Sequence, residues 1–270
     1  MIDLGLSGKR AVVSGAGFIA SHAGHGRSSA LTLARAGASV VCIDINRTRA
    51  LDIVAEIEAA GGRAHPVVAD MTDRDQVERA VDGAVEAMGG VDVCVDIIGK
   101  TTFDRVEDIS DAAWQWTMTN NLTHVLYLFQ AAARQMIHQG TGGALVAIAS
   151  VDGIGASGFH AAYGVAKAGV ISLTRTFADE LGRYGIRANA VAPGNVGGGN
   201  WDDPDAEFGS DPVNPLAPPR GRDIGNAVLF LSSALASRIT GQTLIVDGGA
   251  TIRSPWGFTA ENIPQIRAKY

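Results

Sequence analysis

The chain is poor in cysteine, in long apolar runs and in clustered positive charge. Only Cys42 and Cys94 occur in its 270 residues, and each lies inside an apolar run of strand character. Two thiols in separate strands exclude a disulfide framework or a metal site and fit a reducing compartment. No stretch reaches the roughly 18 consecutive apolar residues of a membrane span. The opening MIDLGLSGKR lacks a basic segment followed by an apolar one, so a soluble, unexported, cytoplasmic protein is expected. With a formal net charge of -6 and no run of Lys or Arg, a nucleic-acid surface and a membrane-docking patch are both disfavoured, leaving a small molecule as the partner. No break in composition divides the chain. Its hydrophobic content of 46% is enough for one large core, and residues 1–270 read as a single domain, with a substrate loop at 195–220 and a C-terminal tail at 251–270.

What is present is an alternation of apolar runs and helical patterns. The runs are RAVVS (10–14), SVVCID (39–44), AHPVVAD (64–70), VDVCVDIIG (91–99), GALVAIAS (143–150), IRANAVAPG (186–194) and QTLIVDGG (242–249). Between them the spacing predicts helices from Gly26, over 47–60, over 73–88, from a Ser110 cap through Asn121 toward Gln139, over 160–182 and over 223–235. Seven such strands separated by helical crossovers predict an α/β fold, a doubly wound (Rossmann) parallel sheet with helices on both faces. Ligands of such sheets bind beyond the carboxyl ends of the strands. Gly15, Asp44, Asp70, Gly99, Ser150 and Pro193-Gly194 all fall there.

The first run is closed by a glycine loop in which Gly15, Gly17, Gly24 and Gly26 leave backbone N–H groups free to face a pyrophosphate at a helix N-terminus. Their spacing is not G-x-G-x-x-G. Asp44, 18 residues after Gly26, ends the second strand, where an acid accepts hydrogen bonds from both hydroxyls of an adenosine ribose and repels a 2'-phosphate. NAD(H) is therefore expected over NADP(H), although Arg47 and Arg49 lie close behind. Further along, Tyr163 and Lys167 share one helix face at i and i+4, with Ser150 thirteen residues before the tyrosine. A phenol titrates near ~10 in water, and a neighbouring cation favours the phenolate, so Lys167 is expected to bring Tyr163 within range of proton transfer near neutral pH.

In this order, Ser150, Tyr163-x-x-x-Lys167 and Pro193-Gly194, together with Asn121 in the helix before the fifth strand and the closing ITGQTLIVDGG, resemble the short-chain dehydrogenase/reductase family over nearly the whole chain, from Lys9 to about Gly249. The resemblance implies a catalytic set of Asn121, Ser150, Tyr163 and Lys167. Tyr163 would exchange a proton with the substrate oxygen while hydride moves between the carbinol carbon and NAD. Lys167 would also hold the nicotinamide ribose, Ser150 would donate to the substrate oxygen, and Asn121 would position a water linking Lys167 to solvent. It extends the cofactor contacts to Asp70, Gly99, Pro193, Gly194 and Val196, and implies a homo-oligomer, a dimer or tetramer.

The chain departs from the family in places. Eight residues separate Gly15 from Gly24 where the family has three, so 18–23 is read as an insertion, either over the cofactor with Ser21 or His22 toward a phosphate or as a solvent loop. The family's Asn-Asn-Ala-Gly is Asp96-Ile97-Ile98-Gly99 here; Asp96 is expected to take backbone N–H groups or a hydroxyl as partners, because a buried lone carboxylate is costly. A threonine usual after Pro-Gly is missing, and Asn195 or backbone amides are its substitutes. Trp201 and Phe208 mark the substrate loop, whose lack of basic residues favours a neutral or apolar alcohol or ketone. His160 either faces substrate or lies on the surface. The activity expected is an NAD(H)-dependent interconversion of a secondary alcohol and a ketone; an NADPH-linked 3-oxoacyl reductase and a non-catalytic dinucleotide-binding protein are the alternatives.

Overall fold

A computed structural model describes residues 3–19, 24–196, 215–216 and 218–252. Among these, seven strands form one sheet: β1 (Arg10–Ser14), β2 (Ser39–Asp44), β3 (Arg63–Val68), β4 (Val93–Asp96), β5 (Gly143–Ile148), β6 (Ile186–Pro193) and β7 (Thr243–Val246). They lie in the order β3-β2-β1-β4-β5-β6-β7, every neighbouring pair parallel. The inner strands are apolar at successive residues because both of their faces are covered. At the edge, β3 alternates buried and exposed residues and accommodates Pro66, whose missing N–H deprives no outer neighbour of a hydrogen bond. Cys42 and Cys94 are buried in β2 and β4, on either side of β1, and are unpaired.

The covering helices are α1 (His25–Arg35), α2 (Arg47–Ala59), α3 (Arg74–Met88), α4 (Asp111–Met118), α5 (His124–Gln139), α6 (Ala161–Leu181) and α7 (Gly221–Ser232). One core lies between the sheet and α1, α2 and α7, with Leu33, Ile57 and Leu231 against Val13 and Val40. The other lies beneath α3, α5 and α6, with Val77, Phe129 and Val170 against Val12 and Leu145. Among the described residues no helix is long and apolar enough to cross a membrane.

Two predicted helices are corrected. The span from Ser110 to Gln139 is not one regular helix. Ser110 does cap α4, accepting from Ala113 N at 3.1 Å, but Thr119–Thr123 form a π-helical turn before α5 begins. Side chains there compete for the carbonyls of the preceding turn: Asn120 Nδ2 donates to Trp116 O and Asn121 Nδ2 to Thr117 O, both at 2.9 Å, so the regular ladder gives way. The last helix begins at Gly221 rather than Asp223, because the Asp223 carboxylate reaches back to accept from Arg220 N at 2.8 Å. It ends at Ser232, where the Ser233 hydroxyl accepts from Leu235 N and tightens the following turn.

Candidate active site

The strand order reverses between β1 and β4, and past their carboxyl ends a cavity of about 350 Å³ opens. Such volumes hold small ligands and cofactors. Its wall includes Gly15, Gly17, Gly24, Gly26, Asp44, Asp70, Gly99, Ser150, Tyr163, Lys167, Pro193 and Gly194, gathered from residues some 180 positions apart. Asn121 and Val196 are not on it. Val196 packs against the core beneath α1 and α7, and Asn121 is fully buried behind Lys100.

At one end of the cavity, Gly15 and Gly24 take left-handed backbone conformations, with φ 65° and 60°, that open the loop onto the start of α1. No side chain caps α1 and no acid lies in its first turn, so the partial positive charge of its amides faces the cavity. Gly26 permits the approach of α1 to β1: a Cβ there would stand 1.9 Å from Gly15 O. His25 also lines this end. Burial and the nearby Lys167 push its imidazole down to about 4, and its Nε2 is buried without a partner. Uncapped amides, glycines where a Cβ would collide and an orphaned ring nitrogen are what a dinucleotide would satisfy, so these residues fit such a cofactor. Phe18 stacks over the Arg27 guanidinium at 5.6 Å and Ile19 lines the cavity. Ser21 and His22 lie outside the described residues, as do Trp201, Phe208 and the tail beyond Ile252.

Asp44 is buried, and of the two arginines that follow it in sequence Arg49 pairs with it. Its Oδ1 accepts from Arg49 Nη2 at 2.6 Å, from Arg49 Nε at 3.0 Å and from Asn46 N at 2.8 Å, while Oδ2 faces Gly17, where a Cβ would stand 2.5 Å away. The i+5 arginine on the first turn of α2 thus shares the ribose corner, and Arg49 lines the cavity as well. Asp70 Oδ1 accepts from Thr72 N and Oγ1 at 2.9 and 2.7 Å, which orders the loop after β3.

At the other end, Tyr163 and Lys167 project from the first turns of α6, and the turn Val151–Gly153 brings Ser150 against them. Gly153 makes this approach possible, since a Cβ there would stand 2.6 Å from the Lys167 backbone. Ser150 stands on the phenol side of the cavity and works to lower the Tyr163 pKa. Lys167 is buried, with Nζ donating to Ile148 O at 2.7 Å and lying 5.7 Å from the Tyr163 ring centroid. Burial presses the ammonium down to about 8, against the opposing pull of Asp96. The expected acidification of Tyr163 is corrected. Its pKa is raised, first by burial and also by the Asp152 charge, with only Ser150 lowering it. An i,i+4 spacing brings the two side chains to one face, but Lys167 turns its charge to Ile148, and desolvation of the phenol dominates.

Asn121 spends its amide on backbone: Oδ1 accepts from Lys100 N at 3.0 Å, and Nδ2 donates to Lys100 O and to Thr117 O. It thereby fixes the loop at Gly99, where a Cβ would come within 3.3 Å of Lys167 Nζ and 3.4 Å of Asn121 Oδ1. Its neighbour Asn120 lines the cavity. Asp96 finds the hydroxyl partner expected of it, Ser14 Oγ at 2.6 Å, and also His124 Nε2 at 3.0 Å, all three residues being fully buried. His124 was missed in sequence; a histidine inside an otherwise apolar helix start, 28 residues after a buried acid, was its only signal. Asp152 was missed too. It pairs with His160, whose Nδ1 lies 2.7 Å from its Oδ2, so His160 is neither a free surface residue nor a lone cavity residue.

A parallel sheet in this order, with a glycine-lined helix N-terminus at its switch point, defines a dinucleotide-binding doubly wound fold. The comparisons with known proteins agree. A family model described as Enoyl-(Acyl carrier protein) reductase matches residues 19–251. The L-rhamnose 1-dehydrogenase (NAD(P)(+)) of Azotobacter vinelandii is 38% identical over 241 residues, covering 84% of this chain and 92% of that protein. The 3-oxoacyl-[acyl-carrier-protein] reductase of Thermotoga maritima is 33% identical, covering 92% of this chain and 99% of its own length. Among solved structures, a short-chain type dehydrogenase/reductase from Mycobacterium marinum superposes with a TM-score of 0.81 at 32% identity, covering 92% of this chain and 97% of that one. The chain belongs to the short-chain dehydrogenase/reductase family, and is accordingly an oxidoreductase of the kind that uses a nicotinamide dinucleotide.

Proposed function

We propose that the protein is an NAD(H)-dependent oxidoreductase that interconverts a secondary alcohol and a ketone, with Tyr163 as general acid and base. The observation that carries this reading is the cluster of Ser150, Tyr163 and Lys167 at one end of a cavity whose other end holds the buried Asp44. Gly15, Gly17, Gly24, Gly26 and the α1 amides would hold the pyrophosphate, Asp44 the adenosine ribose, and Lys167 with Gly99, Pro193 and Gly194 the nicotinamide half. When bound, the nicotinamide supplies or takes up the hydride. Tyr163 gives the substrate oxygen a proton in reduction and takes one in oxidation. Its raised pKa keeps it protonated in the resting protein, ready as an acid. Ser150, oriented by the Asp152 N–H at 3.1 Å, offers its hydroxyl to the same oxygen. Asn121 holds the Gly99-Lys100 loop against Lys167.

Arg49 on the cavity wall supports a second reading, use of NADP(H), because its guanidinium can pair with a 2'-phosphate; an NADPH-linked 3-oxoacyl reductase belongs to that reading. Relatives named as L-rhamnose, sorbitol and D-threitol dehydrogenases direct the substrate panel toward sugars and polyols beside acyl thioesters. A cytoplasmic homo-oligomer, dimer or tetramer, completes the proposal. The test follows NADH and NADPH absorbance across that panel with the wild type and Tyr163→Phe. Turnover should vanish in the variant while NADH binding, read by fluorescence, stays nearly intact; retained turnover refutes the assignment.

A further inference from the structure

α1 opens on the cavity wall with a side chain that the proposed cofactor contacts leave unused. His25 is its first residue, between Gly24, at φ 60°, and Gly26, where a Cβ would stand 1.9 Å from Gly15 O. The helix ladder begins with Ser28 N donating to Gly24 O at 3.0 Å, so the amides of residues 25–27 have no acceptor within the helix. The imidazole is unpaired as well. Its Nε2 is buried with no partner, and Nδ1 makes no hydrogen bond to a described residue. A polar ring set into a wall without a partner is costly, and a ligand that supplies one recovers the cost.

The ring is neutral near neutral pH. Burial, with the nearby Lys167 charge, pushes its pKa down to about 4, which leaves one N–H to donate and one lone pair to accept. Its neighbour Arg27 is turned elsewhere, with Nε donating to Glu56 Oε2 of α2 at 2.7 Å and the guanidinium lying over the Phe18 ring. Among the described residues, Gly24, His25 and Gly26 are therefore what the start of α1 presents to the cavity, and His25 brings the one side chain larger than a hydrogen. An anion within reach of the unsatisfied amides lies within reach of that imidazole too. Phosphate oxygens are acceptors only, and the ring N–H is the donor that matches them.

We propose that the His25 imidazole donates a hydrogen bond to the pyrophosphate of the bound dinucleotide, a side-chain contact that strengthens the grip of the α1 amides on the cofactor. The inference rests on the dinucleotide reading above and adds to it one specific donor, where the glycine loop works through backbone alone. A neutral donor suits the place. Lys167 already lines this cavity, and a second fixed cation near it would be repelled, whereas an N–H without formal charge takes a phosphate oxygen and adds no repulsion.

The contact is read by binding, with no turnover. Calorimetric titrations with NADH, and with ADP-ribose, which keeps the adenosine and the pyrophosphate but lacks the nicotinamide, are run on the wild type, His25→Leu and His25→Gln. Leucine fills similar volume without a donor, and glutamine keeps an N–H. His25→Leu should weaken both ligands by roughly tenfold or more, and His25→Gln should recover most of that loss. The fold should not suffer, because leucine leaves no unpaired nitrogen; melting temperatures of the free proteins check this, and His25→Ala repeats the test should leucine not fit. Unchanged affinity in the variants without a donor overturns the inference. So does a loss that glutamine does not recover, which marks ring packing, or one seen with NADH and not with ADP-ribose, which places the ring at the nicotinamide. If the wild type binds neither NADH nor NADPH, the dinucleotide reading itself falls; if it binds either and His25→Leu binds as tightly, this inference alone falls.

Discussion

Lys167→Met should make the protein more stable and inactive. Lys167 is 1% exposed and its ammonium has a single hydrogen bond, to Ile148 O at 2.7 Å. Burial lowers its pKa from 10.5 to about 8, a fall that corresponds to about 3 kcal/mol. At pH 7 the folded protein carries that cost in full. Between about 8 and 10.5 the folded state sheds the proton while the unfolded chain keeps it, so stability rises with pH across that window and the cost is gone above it. Methionine fills similar volume without a charge. It leaves the Ile148 carbonyl without this donor, an offset of about 1 kcal/mol, so a net gain of about 2 kcal/mol remains at pH 7. For a chain of this size that is a rise of roughly 4–8 °C in melting temperature. Thermal unfolding of the cofactor-free wild type and variant, followed by circular dichroism from pH 7 to pH 10.5, reads both the gap and its closure. A variant less stable than wild type at pH 7, or a gap that does not narrow with rising pH, would refute the reasoning.

Two further outcomes are expected. His124→Ala should destabilise the fold by about 3–5 kcal/mol in urea unfolding, because it strips the buried Asp96 of a partner, whereas Asp96→Asn, which can still accept from Ser14, should cost clearly less. Asp44→Ala should narrow the difference in affinity between NADH and NADPH, and Arg49→Ala should weaken NADPH more than NADH; fluorescence titration of each variant checks both, and equal weakening of the two cofactors by Arg49→Ala would remove the arginine from the 2'-phosphate corner.

Much of the fold is legible in the chain because the signals are local. A run such as Val40-Val41-Cys42-Ile43 has no polar face and must be buried on both sides, and repeated seven times with helical spacing between, it leaves few architectures open. Gly24 and Gly26 mark the start of a helix after the first strand, and Ser150, Tyr163 and Lys167 stand in the order and spacing that carry the family resemblance. The π-helical turn at Asn121 was not legible, because it arises from side chains competing with the backbone and not from periodicity. Nor was His124, whose partner comes from another strand.

By itself, then, the sequence determined the succession of strands and helices and the clustering of glycines at the start of the first helix, and it marked Ser150, Tyr163 and Lys167 as candidate residues, since each depends on spacing along the chain. Only the tertiary structure decided the electrostatics. It gave Asp44 an arginine and Asp96 and Asp152 a histidine each, turned the Lys167 ammonium to Ile148, and raised the Tyr163 pKa instead of lowering it. Charge pairing and desolvation depend on distances across the fold, and a spacing of four residues on one helix says nothing of how much water is left around either side chain.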